Sequence, residues 1–232
     1  MRQKNHPFEI NLDTPKDVST LSSNLSIPVT VRINPLDDST PTEVDQALSC
    51  GAKTLMLPMA QTVVEVKKFL EIVDNRAQTI VQIENPFLAS QAEDLASLNW
   101  DYAYIGLNDL MVASGKSSIW EALIDGTAEF ICNHLKNRKY GFGGTTILGG
   151  GEPIMNVLIL QELIRLGGSI SVMRRTFKKE LLDRDLALEM KALREFVSCT
   201  QRRGSQAVQQ DHEHLLRVIK SQLYPTLPKL FS

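Results

Sequence analysis

Cysteine is scarce in this chain: Cys50, Cys132 and Cys199 are its three examples in 232 residues. They are odd in number and far apart, which excludes a disulfide framework and a thiolate metal cluster and fits a reducing cytosol. Cys50 and Cys132 fall in helical patterns and read as small buried hydrophobes. Charge of one sign is also missing. The formal net charge is -2, whereas a general nucleic-acid binder would carry a basic face. No apolar run is long enough to cross a bilayer, and the basic start Met1-Arg-Gln-Lys-Asn-His6 lacks the apolar centre of a secretory signal. The expectation is a cytoplasmic protein whose partner is neither nucleic acid nor membrane. Four histidines, His6, His134, His212 and His214, lie away from the strand ends, and the last two are spaced so that they do not share a helical face. None is assigned to a metal. No Ser-His-Asp or Cys-His arrangement emerges, no Walker lysine follows the glycine-rich segment, and no Gly-x-Gly-x-x-Gly turn follows the first strand.

What is present is an ordinary globular composition, 43% hydrophobic and 22% charged, in a chain long enough for one (β/α)₈ barrel near the lower size limit. Short β-rich runs alternate with helical patterns. Strands are expected at 9–13, 29–33, 54–57, 79–84, 102–106, 140–146 and 169–173. Most are apolar throughout, as strands covered on both faces of a parallel sheet are. The first four strand ends, near Arg32, Leu57, Glu84 and Gly106, recur about every 25 residues, a compact barrel unit. Seven strands are visible rather than eight, so the expected barrel lacks or modifies its first strand-helix unit. An open doubly wound sheet is the alternative.

Between the strands, Thr40-Pro-Thr-Glu43 predicts a helix start with a Thr cap, an early proline and a Glu three residues on. Residues 62–73 place Val63, Val66, Phe69, Leu70 and Val73 on one helical face, and 154–166 form another helix closed by Gly167-Gly168. The tail differs from the body. Residues 177–200 read as one charged helix, 201–205 as a hinge, and 206–223 as a last helix with Leu215, Leu216 and Ile219 on one side. The expected division is a barrel over 1–200 and a helical tail over 201–232 that docks on its own barrel or on a neighbouring subunit.

Two carboxylates stand out. Glu84 ends the run Thr79-Ile-Val-Gln-Ile-Glu84, and Asp109 follows Tyr102-Ala-Tyr-Ile-Gly106. In a parallel barrel, neighbouring strands end on one rim, and that rim carries the active site. Two such acids suit a hard divalent ion that keeps positions open for water and a chelating substrate. The plain alternative is that both acids cap helices. Arg32 lies within a strand run, where a guanidinium needs a partner: either a substrate carboxylate or enolate oxygen held by two hydrogen bonds, or a structural salt bridge with Glu84 or Asp13. The glycines at 141, 143, 144, 149, 150 and 151 surround Thr145 and Thr146, either as an anion cradle before a helix starting near Pro153 or as a plain turn. Arg174 and Arg175 follow the last strand, where a solvated pair is the default.

Four segments carry a resemblance. Val31-Arg-Ile-Asn34, Gly51-Ala-Lys-Thr-Leu-Met-Leu-Pro-Met59, Val81-Gln-Ile-Glu84 and Ile105-Gly-Leu-Asn-Asp-Leu110 follow the order of motifs in the HpcH/HpaI aldolase and citrate lyase beta-subunit family. Over about residues 27–114 the chain resembles that family, and the Gly-Ala…Leu-Pro-Met stretch is most similar to its 2-oxo acid aldolase branch. The resemblance implies a modified barrel that uses Mg²⁺, or Mn²⁺ or Co²⁺ in its place. It implies Glu84 and Asp109 as metal ligands, Arg32 as the arginine that steadies the substrate, and Gly106 in the loop beside the cofactor.

The family cleaves or forms carbon–carbon bonds through a metal-bound enolate, often of pyruvate, and assembles as trimers or hexamers with an exchanged terminal helix. The expectation is therefore a metal-dependent lyase for a small 2-oxo or 3-hydroxy acid. A citrate-lyase-like enzyme for acyl-coenzyme A thioesters and a non-catalytic barrel acting as an assembly partner are the alternatives. Two departures stand out: Phe8-Glu-Ile-Asn-Leu-Asp13 occupies the place of the family's second strand, with Thr14-Pro15 where its next acid stands, and the aldolase histidine base has no counterpart.

Overall fold

The computed structural model describes residues 14–224; the expected strand at 9–13, with Asp13, and His6 lie outside them. The chain opens with helix α1 (Pro15–Asn24), followed by β1 (Thr30–Arg32), α2 (Thr40–Ser49), β2 (Thr54–Leu57), α3 (Val63–Val73) and β3 (Gln78–Ile83). Two short helices, α4 (Pro86–Ser90) and α5 (Ala92–Ala96), precede β4 (Tyr102–Ile105). Then come α6 (Leu107–Ala113), α7 (Glu121–Ile124), α8 (Thr127–Leu135), β5 (Tyr140–Phe142) and α9 (Asn156–Arg165). The chain ends in α10 (Phe177–Glu180), α11 (Leu186–Thr200) and α12 (Ser205–Leu223).

The five strands among the described residues are parallel, and their spatial order is their chain order, β1-β2-β3-β4-β5. A doubly wound sheet reverses its order at a switch point; this one never does, as in the wall of a barrel. Side chains alternate across each strand. One face carries Leu55, Leu57, Val81, Ile83, Ala103, Ile105 and Phe142, each fully buried. That face joins the apolar core shared with Val66, Phe69 and Val73 of α3 and Ile131 and Leu135 of α8. Each of the larger side chains among them contributes about 1.5–3 kcal/mol by leaving water.

The local signals mostly work as expected. Thr62 caps α3 by accepting the Glu65 N–H. Gly167 adopts a positive φ of 77° after α9, and the N–H of Gly168 reaches back to the Leu163 carbonyl. Thr40 does not cap α2. Ser39 is the cap residue, and the Thr40 hydroxyl accepts the Asp37 N–H instead. Glu43 turns to the backbone and side-chain amides of Asn34, which draws its carboxylate away from a capping box.

Three other expectations change. The run 169–173 follows β5 without forming a full strand. Ser169 and Ile170 both donate to the Tyr140 carbonyl, the Ser171 hydroxyl takes the Phe142 carbonyl, and only Thr145 and Met173 pair as an isolated parallel bridge. A side chain has replaced the ladder's backbone donor. The expected single helix over 177–200 is broken into α10 and α11 by a turn in which Asp183 takes a φ of 62°, after which Asp185 caps α11 through the N–H groups of Ala187 and Leu188. The expected hinge at 201–205 is a tight turn tied to α12 by an ion pair between Arg203 and Asp211. Helix α12 packs on α9 and α7 of its own chain. Leu215 and Ile219 are buried there, and His212 Nδ1 lies 2.9 Å from the buried Glu162, which also holds Arg165.

Candidate active site

The C-terminal ends of β1, β3 and β4 open onto one cavity of about 430 Å³. Arg32, Glu84, Gly106 and Asp109 all line it. Strand-end spacing pointed to Glu84, Asp109 and Arg32, the family resemblance added Gly106, and the fold brings all four to one cavity.

Glu84 follows β3 and is fully buried. The adjacent Asn85 caps α4 by accepting the Leu88 N–H at 2.9 Å, so Glu84 is not spent on helix capping. Its Oε1 accepts the Met59 N–H at 2.6 Å, and its Oε2 accepts Gln82 Nε2 at 3.0 Å. Met59 reaches that position with a φ of 58°, left-handed backbone that a methionine rarely adopts. Such a conformation costs on the order of 1–3 kcal/mol and persists where the surroundings over-determine it. The charge-assisted hydrogen bond to Glu84 offsets part of that cost.

Gly106 begins α6 and is buried. A methyl group placed there would stand 2.9 Å from both Cβ and Oε2 of Glu84. The glycine leaves the room that the carboxylate occupies. Asp109, half-buried, sits in the first turn of α6, where the helix dipole favours an acid. Arg32 ends β1, the outermost strand, and is exposed among the described residues. The strand run around it is therefore not buried on both faces, and the guanidinium's position at the cavity, rather than burial, gives it a partner to seek.

Two further side chains line this cavity. Gln82 and Tyr104 are register partners on β3 and β4, both facing the cavity. Gln82 Oε1 is buried with no hydrogen-bond partner among the described residues. Burial first, then the negative charge of Glu84, pushes the Tyr104 phenol up to about 12, with Arg32 opposing and Asp109 adding to the rise. The phenol thus feels all three charged groups. Neither residue was singled out in the sequence. The signal was the two-residue alternation Gln82-x-Glu84 and Tyr104-x-Gly106, which puts each pair on one face.

Ile119, Trp120, Gly143, Gly144 and residues 172–176 complete the lining. The glycine-rich segment is divided in its work. Gly143 and Gly144 line the cavity, while a methyl at Gly150 or Gly151 would strike Glu180 or Arg174. The Thr146 N–H is taken by Asn156 Oδ1, and α9 starts only at Asn156, with no side-chain cap. The Thr146 end of the loop is thus tied to Asn156 at the start of α9. Arg174 and Arg175 also line the cavity; Arg174 is half-buried, while Arg175 is exposed, in keeping with a solvated charge. Arg174 donates to the Glu152 carbonyl at 3.2 Å and lies 3.8 Å from Glu180.

The donor chemistry suits a hard divalent ion. Two carboxylates and an unsatisfied amide oxygen, Gln82 Oε1, belong to residues that line one cavity. Among the described residues, no cluster of three or more His, Cys, Asp and Glu surrounds a common point. A closed zinc site would need such a cluster, whereas Mg²⁺ takes one or two carboxylates and fills its shell with water and substrate. Among the described residues, no helix is long and apolar enough to cross a membrane.

No protein-family model matches the sequence, and no curated protein matches it by sequence. Solved structures do resemble it. RipC from Yersinia pestis superimposes with a TM-score of 0.55 at 15% identity, over 84% of this chain and 83% of that one. The citrate lyase beta subunit from M. tuberculosis, solved with oxaloacetate and magnesium, gives 0.53 at 18% identity, over 82% and 80%. The citrate synthase SbnG gives 0.58 at 14% identity, over 81% and 82%. Likeness at such identities speaks to architecture, and it agrees with the unreversed parallel strand order: the chain has a TIM-type α/β barrel fold like that of these structures, with five strands of an unclosed parallel sheet among the described residues.

Proposed function

We propose that this chain is a metal-dependent carbon–carbon lyase acting on a small 2-oxo or 3-hydroxy acid. One observation carries the reading: Arg32, Glu84 and Asp109, borne by separate elements, line a single cavity at the C-terminal strand ends. Glu84 and Asp109 would hold Mg²⁺, or Mn²⁺ or Co²⁺ in its place. The ion would supply positive charge that polarises a substrate carbonyl. The chain's own residues do the rest. Glu84 is fixed by Met59 and Gln82, so it needs no reorganisation during turnover. Arg32 presents a planar pair of N–H donors to a substrate carboxylate or enolate oxygen. Trp120, Ile119 and Val172 give the cavity an apolar side that displaces water from the substrate.

The test is deuterium exchange at the methyl group of pyruvate in the presence of Mg²⁺. Exchange is expected with the metal and not after chelation. Glu84→Gln keeps the shape of the side chain, and rotation of the Gln82 amide lets its free Oε1 accept from the new amide. The variant is expected to fold and to lose exchange. Exchange that survives chelation or Glu84→Gln rejects the mechanism. Exchange absent under every divalent ion leaves a barrel that binds without turning over.

A further inference from the structure

We propose that Tyr104 is a further catalytic residue, whose neutral hydroxyl donates a hydrogen bond to the substrate oxygen that gains negative charge. The inference rests on the lyase reading and adds a donor that the two carboxylates do not provide. Two geometric observations carry it.

The first is placement. Tyr104 lies on β4 in register with Gln82 of β3 and lines the same cavity as Arg32, Glu84 and Asp109. The second is fit. A methyl group built on Gly143 would overlap the Tyr104 hydroxyl and stand 3.1 Å from Cζ. The loop after β5 therefore comes in against the phenol at the one residue type that leaves it room. The hydroxyl cannot move further toward Gly143 without moving that loop.

A donor held in place before the reaction stabilises developing charge without reorganisation, and it is stronger in a water-poor site than in bulk. Burial and the nearby carboxylate of Glu84 both oppose loss of the phenol proton. In this role the phenol hydrogen stays on oxygen throughout, so no base or co-reactant is needed at this residue.

Tyr104→Phe removes the hydroxyl and keeps the ring. With pyruvate and Mg²⁺ as the probe, methyl deuterium exchange at saturating pyruvate is expected to slow by about 10²–10³-fold. The pyruvate concentration giving half-saturation should stay within about threefold, because the bond strengthens only as charge develops. A change confined to half-saturation, or no change, overturns the proposal.

Gly143→Ala tests the fit without any activity. It should lower the melting temperature of the wild type, and lower it much less in the Tyr104→Phe background, where the overlapping oxygen is gone. Equal losses in both backgrounds would place the hydroxyl elsewhere and overturn the proposal. Glu84→Gln separates the two levels of inference. Exchange lost in Glu84→Gln but retained in Tyr104→Phe rejects the role of Tyr104 alone. Exchange absent from the wild type rejects the lyase reading, and this inference falls with it.

Discussion

The two faces of the parallel sheet are built from the same strands and do opposite things. On the helix-covered face, Leu55, Leu57, Val81, Ile83, Ala103, Ile105 and Phe142 are fully buried and carry no polar side-chain atom. On the cavity face, one residue along from these, stand Arg32, Gln82 and Tyr104, with Glu84 and Gly106 just beyond the strand ends. The first face stabilises the fold by removing apolar area from water. The second holds a buried acid and an amide oxygen with no hydrogen-bond partner among the described residues, with a left-handed methionine bonded to that acid, each of which opposes folding. A stable scaffold and a costly site are thus separated by half a strand repeat, and substitutions on the two faces should fail in different ways.

The largest expected effect is on the cavity face. Asp109→Asn keeps volume and hydrogen-bonding capacity in the first turn of α6 but removes the charge. Losing several kcal/mol of charge stabilisation in the reaction should slow Mg²⁺-dependent exchange by about 10³-fold or more. Because Asp109 is half-buried in the first turn of α6, its loss of helix-dipole stabilisation should lower stability in urea by only about 1–2 kcal/mol. If urea melts show a loss of several kcal/mol while exchange persists, Asp109 is a structural cap and the division of labour between the faces is wrong.

The helix-covered face gives the converse. Leu55 is fully buried in β2 and stands outside the cavity lining. Leu55→Ala should cost about 2–5 kcal/mol of unfolding free energy, the transfer term plus an unfilled cavity. Exchange per folded molecule should not change. A fall in exchange rate after correction for the folded fraction would mean that packing on this face sets the site's geometry.

Sequence reading succeeded where one rule acts alone. Most strand positions within the described residues followed from apolar runs; Glu84, Asp109 and Arg32 stood at strand ends recurring at a fixed interval, whereas Gly106 came from the family resemblance, and the four line one cavity. It failed where two local partners compete for one group. Glu43 has the spacing of a capping box, but Asn34, distant by nine positions, offers two donors. Ser171 lies in a run that alternates like a strand, but its hydroxyl takes the carbonyl that a backbone N–H would use. Tyr104 was legible only in retrospect. A tyrosine in an apolar strand is ordinary β composition, and its meaning depends on which glycine of a loop some forty residues later packs against it. Long-range fit of that kind leaves no periodic trace.

The smallest expected effect appears only in alkaline solution and asks whether both faces resist ionisation. Cys132 of α8 is held in the core, where burial first and then the charge of Glu162 push its thiol from 9.0 to about 12. Tyr140 of β5, whose hydroxyl donates to the Leu166 carbonyl at 2.6 Å, is pushed from 10.0 to about 12, again chiefly by burial. Tyr104 shifts in the same direction on the cavity face. In each case the folded value lies above the unfolded one. The unfolded chain therefore releases its proton first as pH rises, and stability must fall. The contribution is complete below about pH 9 and is lost progressively toward about pH 12. Urea melts at neutral pH and at about pH 10 measure it, and removing the thiol identifies its source. Cys132→Ala should leave the melts nearly flat up to the onset of tyrosine ionisation, whereas Tyr104→Phe should change only the later part of the fall. A wild-type protein whose stability does not decline above about pH 9 would mean that water reaches the Cys132 thiol. The core behind the sheet would then be looser than its fully buried side chains imply.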